Sequence, residues 1–392
     1  METFDVIVLG AGAAGMFAAI EAGRRGRRVL LLDHARNPGE KIRISGGGRC
    51  NFTNLHIAPE RFLSRNPRFA LSALKRFTQW DFIARVDAAG IAWHEKTLGQ
   101  LFCDGSAKEI IAMLLADLHA AGVELGLSTT IDSWAKGAGG FRIGTSRGTI
   151  AAQSLIVATG GKSIPKMGAT GIGYRIAEDF GLRVTETRPA LVPLTFAEQD
   201  LAALKPLAGI AVEGRATANG TSFDEAILFT HRGLSGPAIL QVSSYWREGC
   251  EVVVDLMRGR DAATALREMR GQAGRVAIRT ALARMMPERL ARHVETMSGL
   301  TGNLADQSNA RIEALAGLIH GWHLRPVGTE GYRTAEVTLG GVETDDLDAR
   351  TMEARKVPGL FFVGEVVDVT GWLGGYNFQW AWSSGWAAGQ VA

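Results

Sequence analysis

Near its start the chain reads Phe4-Asp5-Val6-Ile7-Val8-Leu9, a short apolar run, and then Gly10-x-Gly12-x-x-Gly15. Helical spacing follows over 13–24, and Arg28-Val29-Leu30-Leu31-Leu32 is a second apolar run ending at Asp33. Strand, helix and strand within about 30 residues make a βαβ unit with a right-handed crossover. Three glycines alone would say little, but this context gives each a task. Gly10 makes the tight turn, Gly12 lets backbone approach a pyrophosphate, and Gly15 lets the helix pack on the strand. Ala13 and Ala14 carry the free N–H groups of the first turn towards the same phosphates. Asp33, followed by His34, lies close to the usual ~20 residues from the first glycine, where an acid accepts ribose hydroxyls and repels a 2′-phosphate. The site therefore suits FAD or NAD rather than NADP.

The far end of the chain favours FAD. Phe361-Phe362-Val363 runs into Gly364-Glu365, a late Gly-acid step suited to the ribityl chain. Gly374-Gly375-Tyr376-Asn377-Phe378 then opens a helix whose N-terminus can face the flavin pyrimidine oxygen and stabilise charge on reduced flavin. Between these ends, the segment 39–54 is dense in glycine and polar residues. Lys41, Arg43 and Arg49 can neutralise phosphate. Ser45, Gly46, Gly47 and Gly48 permit backbone contact that side chains would block, and Cys50, Asn51, Thr53 and Asn54 continue towards the ring. Ala158-Thr159-Gly160-Gly161 caps a further buried strand over 154–158. The glycine total, 49 of 392 residues, reflects such clusters and not a fibrous repeat.

Together with Lys162-Ser163, with 229–238 (Phe229-Thr230-His231-Arg232-Gly233-Leu234-Ser235-Gly236-Pro237-Ala238) and with 364–379, these segments resemble the BaiN-like NAD(P)/FAD-dependent oxidoreductases, also described as aminoacetone-oxidase-family FAD-binding flavoproteins. The resemblance covers nearly the whole chain, with motifs in family order. It implies an α/β fold: a two-dinucleotide-type Rossmann FAD-binding domain with an inserted β-rich domain and a small helical domain. Asp33 stands where the family commonly has glutamate, Phe52 where a smaller residue is usual, and Ala354 where serine is frequent.

Hydropathy patterning places the parts. The spacing predicts helices over 71–90 and 107–122 and a small antiparallel sheet over 124–150. Strand-like runs fill 191–196, 209–218, 226–229 and 251–256, with Asn219-Gly220 as a hairpin turn. Residues 261–324 are helical, and strands return at 334–339 and 359–363. The expected organisation is a first part of the Rossmann domain at 1–190, a β-rich insertion at 191–257, a helical insertion at 258–325, and return strands with the C-terminal helix at 326–392.

Other residues admit two readings. His231, at the end of a strand, is a candidate proton donor to the reaction or a residue that holds Thr230 and Ser235 in a turn. Cys50 has no second cysteine nearby in sequence and reads as a small buried residue. His320 and His323 lack a carboxylate or cysteine at matching spacing, so no metal is expected. Three unpaired cysteines, the absence of any 18-residue apolar run, and a start with no basic region or cleavage site point to a cytoplasmic protein with no membrane partner. Lys+Arg 43 against Asp+Glu 40 gives +3, too small a bias to call for nucleic acid. The arginines of 258–292 are interleaved with acids and read as a mixed face.

The expectation is thus an FAD-dependent oxidoreductase that passes hydride through a non-covalently bound flavin, with NAD(P)H as transient electron donor, acting on a small organic molecule. No nucleic acid partner is expected, and the oligomeric state is open. The alternatives are a flavoprotein acting on RNA and a flavin-holding regulatory protein without turnover.

Overall fold

Glu2–Leu9 forms strand β1, whose last four residues are wholly buried, as a strand covered on both faces requires. In the computed structural model, which describes residues 1–392, β1 pairs in parallel with β2 (Val29–Leu32) on one side and with the strand Gly148–Val157 on the other. Leu9 is level with both Leu32 and Val157, so three strand ends finish together. Glu124–Gly126 extends the sheet beyond β2, and Leu360–Phe362 joins beside 148–157. The strand order reverses at β1, which creates the crevice where α/β sheets bind ligands.

Chain contacts divide the molecule into two units, Met1–Arg188 with Val337–Ala392, and Pro189–Glu336. In the first, helix α1 (Ala13–Arg24) follows β1 and is buried along most of its length. The C-terminal helix Tyr376–Gly389 lies against it because glycine permits close approach. A Cβ on Gly385 would stand 2.6 Å from the Ala14 carbonyl oxygen, and one on Gly389 2.7 Å from that of Ala18. Trp380 and Trp382 of this helix are buried and donate their indole N–H groups to the carbonyls of Gly364 (3.0 Å) and Phe52 (2.8 Å). The two ends of the chain are therefore neighbours. Arg25 fastens them further by donating to the carbonyls of Gly389 and Ala392.

Two sequence expectations need correction. The antiparallel segment over 124–150 is not a separate sheet. The ten-residue strand Gly148–Val157 outruns its neighbours, so its outer edge pairs first with Gly140–Thr145 and then with Leu360–Phe362. The helix over 71–90 is two helices, α3 (Leu71–Arg76) and α4 (Gln79–Ala88), after α2 at Glu40–Gly48. Thr78 and Asp81 form a capping box that restarts the helix. The extended Phe77 turns its carbonyl to the hydroxyl of Ser383 at 2.7 Å.

The second unit holds an antiparallel sheet centred on Ala211–Ala218 and Thr221–Thr230, joined through Asn219 and Gly220, both at positive φ. Four helices follow, at Ala262–Ala273, Ile278–Ala283, Glu288–Ser298 and Asn309–His320. Both inserted segments, β-rich and helical, lie in this one unit. No helix is long and apolar enough to cross a membrane.

Candidate functional site

The crevice at the end of β1 is built from close backbone contacts. Gly10 has φ +105, and a Cβ there would meet the Ala158 carbonyl oxygen at 2.5 Å. One on Gly15 would meet that of Gly10 at 1.8 Å. Gly12, at the N-cap of α1, has nothing within 4 Å of its would-be Cβ. No side chain caps this helix, so the N–H groups of its first turn, those of Ala13 and Ala14 among them, are left for a ligand or water. A bare helix N-terminus is an anion site. Asp33 stands beside it, its two carboxylate oxygens accepting from the N–H groups of Ala11 (2.6 Å) and Ala35 (2.8 Å). Each oxygen keeps capacity for a further donor, such as a ribose hydroxyl. His34 is half-exposed and stands over Gly168.

Helix α2 begins where Gly39 donates to the Ala11 carbonyl at 2.8 Å, beside the glycine turn. Helical geometry breaks at Ser45, whose hydroxyl donates to the Ile42 carbonyl. Gly46, Gly47 and Gly48 then take φ of +56, +67 and +87. A Cβ on Gly46 would strike the Phe102 ring, whereas Gly47 and Gly48 have no neighbour within 4 Å, which leaves a bare stretch of backbone. Arg49 is exposed. Cys50 is fully buried at φ +51, and burial pushes its thiol far above the usual range, so it is an inert packing residue.

Lys41 reaches across the crevice. Its ammonium donates to Glu365 Oε2 at 2.7 Å and to Ser163 Oγ at 2.6 Å. Ser163 and the Thr338 N–H complete the shell of Glu365 Oε1 at 2.9 and 3.0 Å. Thr338 Oγ1 in turn accepts from the N–H groups of Lys162 and Ser163 and so fixes the turn after Gly160 and Gly161. Gly364 presses on α1, where a Cβ would lie 2.8 Å from that of Ala14, and its N–H is bound by Ser384.

At the C-terminal helix, Gly374 and Gly375 have φ of +107 and +94, and a Cβ on Gly375 would fall 2.3 Å from the Thr53 carbonyl. Strand β3 (Asn51–Asn54) is thereby clamped to the helix start. Thr53 donates to Gln379 at 2.7 Å, and Asn54 donates to the Gly374 carbonyl at 2.8 Å. Asn51 meets the Gln100 amide at 3.1 Å. Asn377 receives the Gly371 N–H and donates to the carbonyls of Gly371 and Trp372. Tyr376 is bound by Arg61, and Phe378 stacks on Trp382. The side chains of Thr53, Asn54, Asn377 and Tyr376 are thus engaged within the protein, and the group this region offers a ligand is the N-terminus of the helix itself. The cofactor residues of the sequence reading all fall in the first unit.

His231 lies in the second unit, exposed at the turn after Thr221–Thr230, with no hydrogen-bond partner for its ring. Thr230 closes that turn itself, accepting from Arg232 and donating to Gly233, each at 3.2 Å. His320 and His323 face different acids, Asp255 at 2.9 Å and Glu251 at 2.8 Å, and His320 also accepts the N–H of Ala262. The sequence reading includes Ser163 and Gln379 only within the segments that carry the family resemblance and gives them no role, and it does not single out Thr338 or Ser384. Thr338 sits in an unremarkable strand.

The residues fit a dinucleotide. There is a bare anion-binding helix end, an acid where ribose belongs, a cradle that a Cβ on Gly12 would fill, and a second helix start at the opposite end. The Nε of Arg43 and the hydroxyl of Thr159 are buried without partners. Such orphaned atoms call for a ligand or water.

Fold and site together define an FAD-dependent oxidoreductase of the Rossmann type. The chain belongs to the HI0933-like family, whose Rossmann-domain model matches residues 4–391. It is 54% identical over 392 residues to a protein of Escherichia coli (strain K12) named ribosomal RNA dihydrouridine synthase, covering 100% of this chain and 98% of that one. A protein of the same name from Haemophilus influenzae is 44% identical, covering 97% and 96%. The 3-dehydro-bile acid delta(4,6)-reductase of Clostridium scindens is 28% identical, covering 98% of each. Among solved structures, 3-ketosteroid delta1-dehydrogenase from Sterolibacterium denitrificans superposes with a TM-score of 0.52 at 15% identity, covering 99% of both chains. The E. coli quinol fumarate reductase subunit FrdA gives 0.52 at 17% identity, covering 100% of this chain and 70% of that one. These two likenesses concern the fold alone.

The relatives overturn two expectations from the sequence, a small organic substrate and the absence of a nucleic acid partner. The two relatives at 54% and 44% identity, matched along almost their whole length, are named for action on ribosomal RNA. A net charge of +3 summed over 392 residues carries no information on how the charge is distributed.

Proposed function

We propose that this protein is a ribosomal RNA dihydrouridine synthase, which adds two hydrogens across the C5–C6 double bond of a uridine base. The observation that carries the reading is full-length identity of 54% to the E. coli protein of that name. The site supports it, because a double bond conjugated to a carbonyl is reduced by hydride plus proton. FAD, when bound and first reduced by NADH or NADPH, would supply the hydride and return to its oxidised form.

The chain's own residues would act as follows. The N–H groups behind Gly12, Ala13 and Ala14, with Lys41 and Arg43 nearby, would hold pyrophosphate, and Asp33 would hold the adenosine ribose. Gly46, Gly47, Gly48 and 158–161 would let backbone lie along the cofactor, with Gly364 and Glu365 at its middle. The start of helix Tyr376–Gly389 would orient the ring end. His231, exposed and unpartnered, is the candidate proton donor to the base. A ribosomal RNA substrate would place the protein in the cytoplasm.

The test is genetic. Deleting the gene is expected to remove a dihydrouridine from ribosomal RNA, as read by nucleoside mass spectrometry. The wild-type gene should restore it and the Gly12→Val variant should not. An unchanged dihydrouridine content in the deletion strain would overturn the reading.

A further inference from the structure

The helical segment of the second unit carries a charge that the chain total conceals. Residues 258–292 contain nine arginines, no lysine and three acids, a net +6 in a chain of +3. What matters is how each guanidinium is engaged. Arg258, Arg267 and Arg292 meet the carboxylates of Asp224, Glu313 and Glu288. Arg260, Arg270 and Arg289 are held by neutral acceptors only. Arg260 donates to the Met285 carbonyl, Arg270 to the Gln307 carbonyl and Asn309 Oδ1, and Arg289 to the carbonyls of Pro206 and Ala208. Arg275, Arg279 and Arg284 have no side-chain partner and are exposed. Six of nine cations are therefore uncompensated, and three of these are oriented without being neutralised.

Nearby acids do not cancel this charge. Asp261 is occupied as a helix cap, accepting from Ala263 and Thr264. Glu295 accepts the backbone N–H of Arg279 and makes no ion pair with its guanidinium. The helix Ile278–Ala283 buries Ile278, Ala281 and Leu282, which turns Arg279 and Arg284 outward. The next helix buries Leu290, Ala291 and Val294, which turns Arg289 outward. Arg260 joins the group through the Met285 carbonyl just past Arg284. Arg279 and Arg284 are separated by about 8 Å of helical rise.

We infer that this arginine surface is where the protein grips the phosphate backbone of structured RNA. Guanidinium suits the role because its planar fork meets phosphate oxygens bidentately and is weakly hydrated. Cations already oriented by carbonyls lose little freedom on binding. A merely solvated helical face has no need to leave six arginines without acids while using lysine nowhere. The inference rests on the RNA reading above and adds the surface that would carry affinity, apart from the chemistry.

The test is binding of the FAD-loaded protein to deproteinised ribosomal RNA across a salt series. Substituting Arg275→Gln, Arg279→Gln and Arg284→Gln together should weaken binding at least tenfold near 0.1 M salt. It should also reduce the slope of log affinity against log salt by about 2–3, one contact per arginine. FAD content should be unchanged. The same three positions changed to Lys should keep the slope, and Arg292→Gln, already paired with Glu288, should leave both slope and affinity near wild type. If the triple Gln protein binds within twofold of wild type with the same slope, the surface is refuted while the enzymatic reading stands. If wild type itself neither binds nor modifies the RNA, both fail.

Discussion

Lys41 and Glu365, 324 positions apart in the chain, meet at 2.7 Å across the crevice, with the Ser163 hydroxyl bridging them at 2.6 and 2.9 Å. This bond ties the segment after β2 to the late Gly-acid step, the two stretches the sequence reading assigned separately to phosphate and to ribityl. Glu365 is the more buried partner, at 16% side-chain exposure against 35% for Lys41. Lys41→Met therefore strands a carboxylate, at a cost of about 1–3 kcal/mol. FAD retention, followed by flavin fluorescence on titration, should weaken roughly tenfold to a hundredfold. Adding Glu365→Gln to that variant should recover part of the loss, because the stranded charge is gone. Strict additivity of the two changes would contradict the account.

The three glycines of the opening turn should fail in different ways. Gly10→Ala and Gly15→Ala drive a Cβ into backbone at 2.5 and 1.8 Å and should cost folding itself, seen as insoluble protein or a large fall in Tm. Gly12→Val enters open space, so the protein should fold with a Tm near that of the wild-type apoprotein and be colourless. A yellow Gly12→Val protein would show that the pyrophosphate lies elsewhere.

What the sequence displayed was local. Gly10, Gly12, Gly15 and Asp33 sit within one βαβ unit whose geometry follows from 24 consecutive positions, so spacing sufficed. The pairing of Lys41 with Glu365 and the anchoring of Glu365 by Thr338 depend on chain return, and no periodicity announces them. Thr53, Asn54, Asn377 and Tyr376 looked like ligand groups because they are polar and near glycines, yet their side chains hold the C-terminal helix in place. The arginines of 258–292 looked mixed in one dimension. Only the list of acceptors in three dimensions separates the six without acids from the three with them.

Packing of the C-terminal helix on α1 should be as sensitive as the glycine turn. Gly385→Leu has no room beside the Ala14 carbonyl at 2.6 Å and should cost about 1–3 kcal/mol by overpacking. Because the proposed ring end of the site is the start of the same helix, FAD loss should accompany the fall in Tm. Stability lost with cofactor affinity intact would argue against a shared frame.

Two buried carboxylates predict opposite pH responses. The Arg183 guanidinium, hydrogen bonded to Asp346, holds that carboxyl below its usual range. Its stabilisation is present above the unfolded value of about 3.9 and is lost as pH falls through the lower folded value. Burial pushes Asp368 up, so its ionisation costs stability at neutral pH and acidification relieves the cost. Asp346→Asn should lower Tm at pH 7 by the equivalent of about 1 kcal/mol, given the exposure of Arg183, with the loss fading below the carboxylate range. Asp368→Asn should raise Tm at pH 7, and that gain should shrink on acidification. Thermal melts of both variants from pH 3 to 8 would check the signs.

The most direct measurement gives the purified, FAD-loaded protein deproteinised ribosomal RNA from the deletion strain, with NADH or NADPH, and digests the RNA for nucleoside mass spectrometry. The account predicts dihydrouridine that appears with reduced nicotinamide and is absent with the Gly12→Val protein. Consumption of reduced nicotinamide with no dihydrouridine formed, in deproteinised RNA or in ribosomal particles, would contradict it.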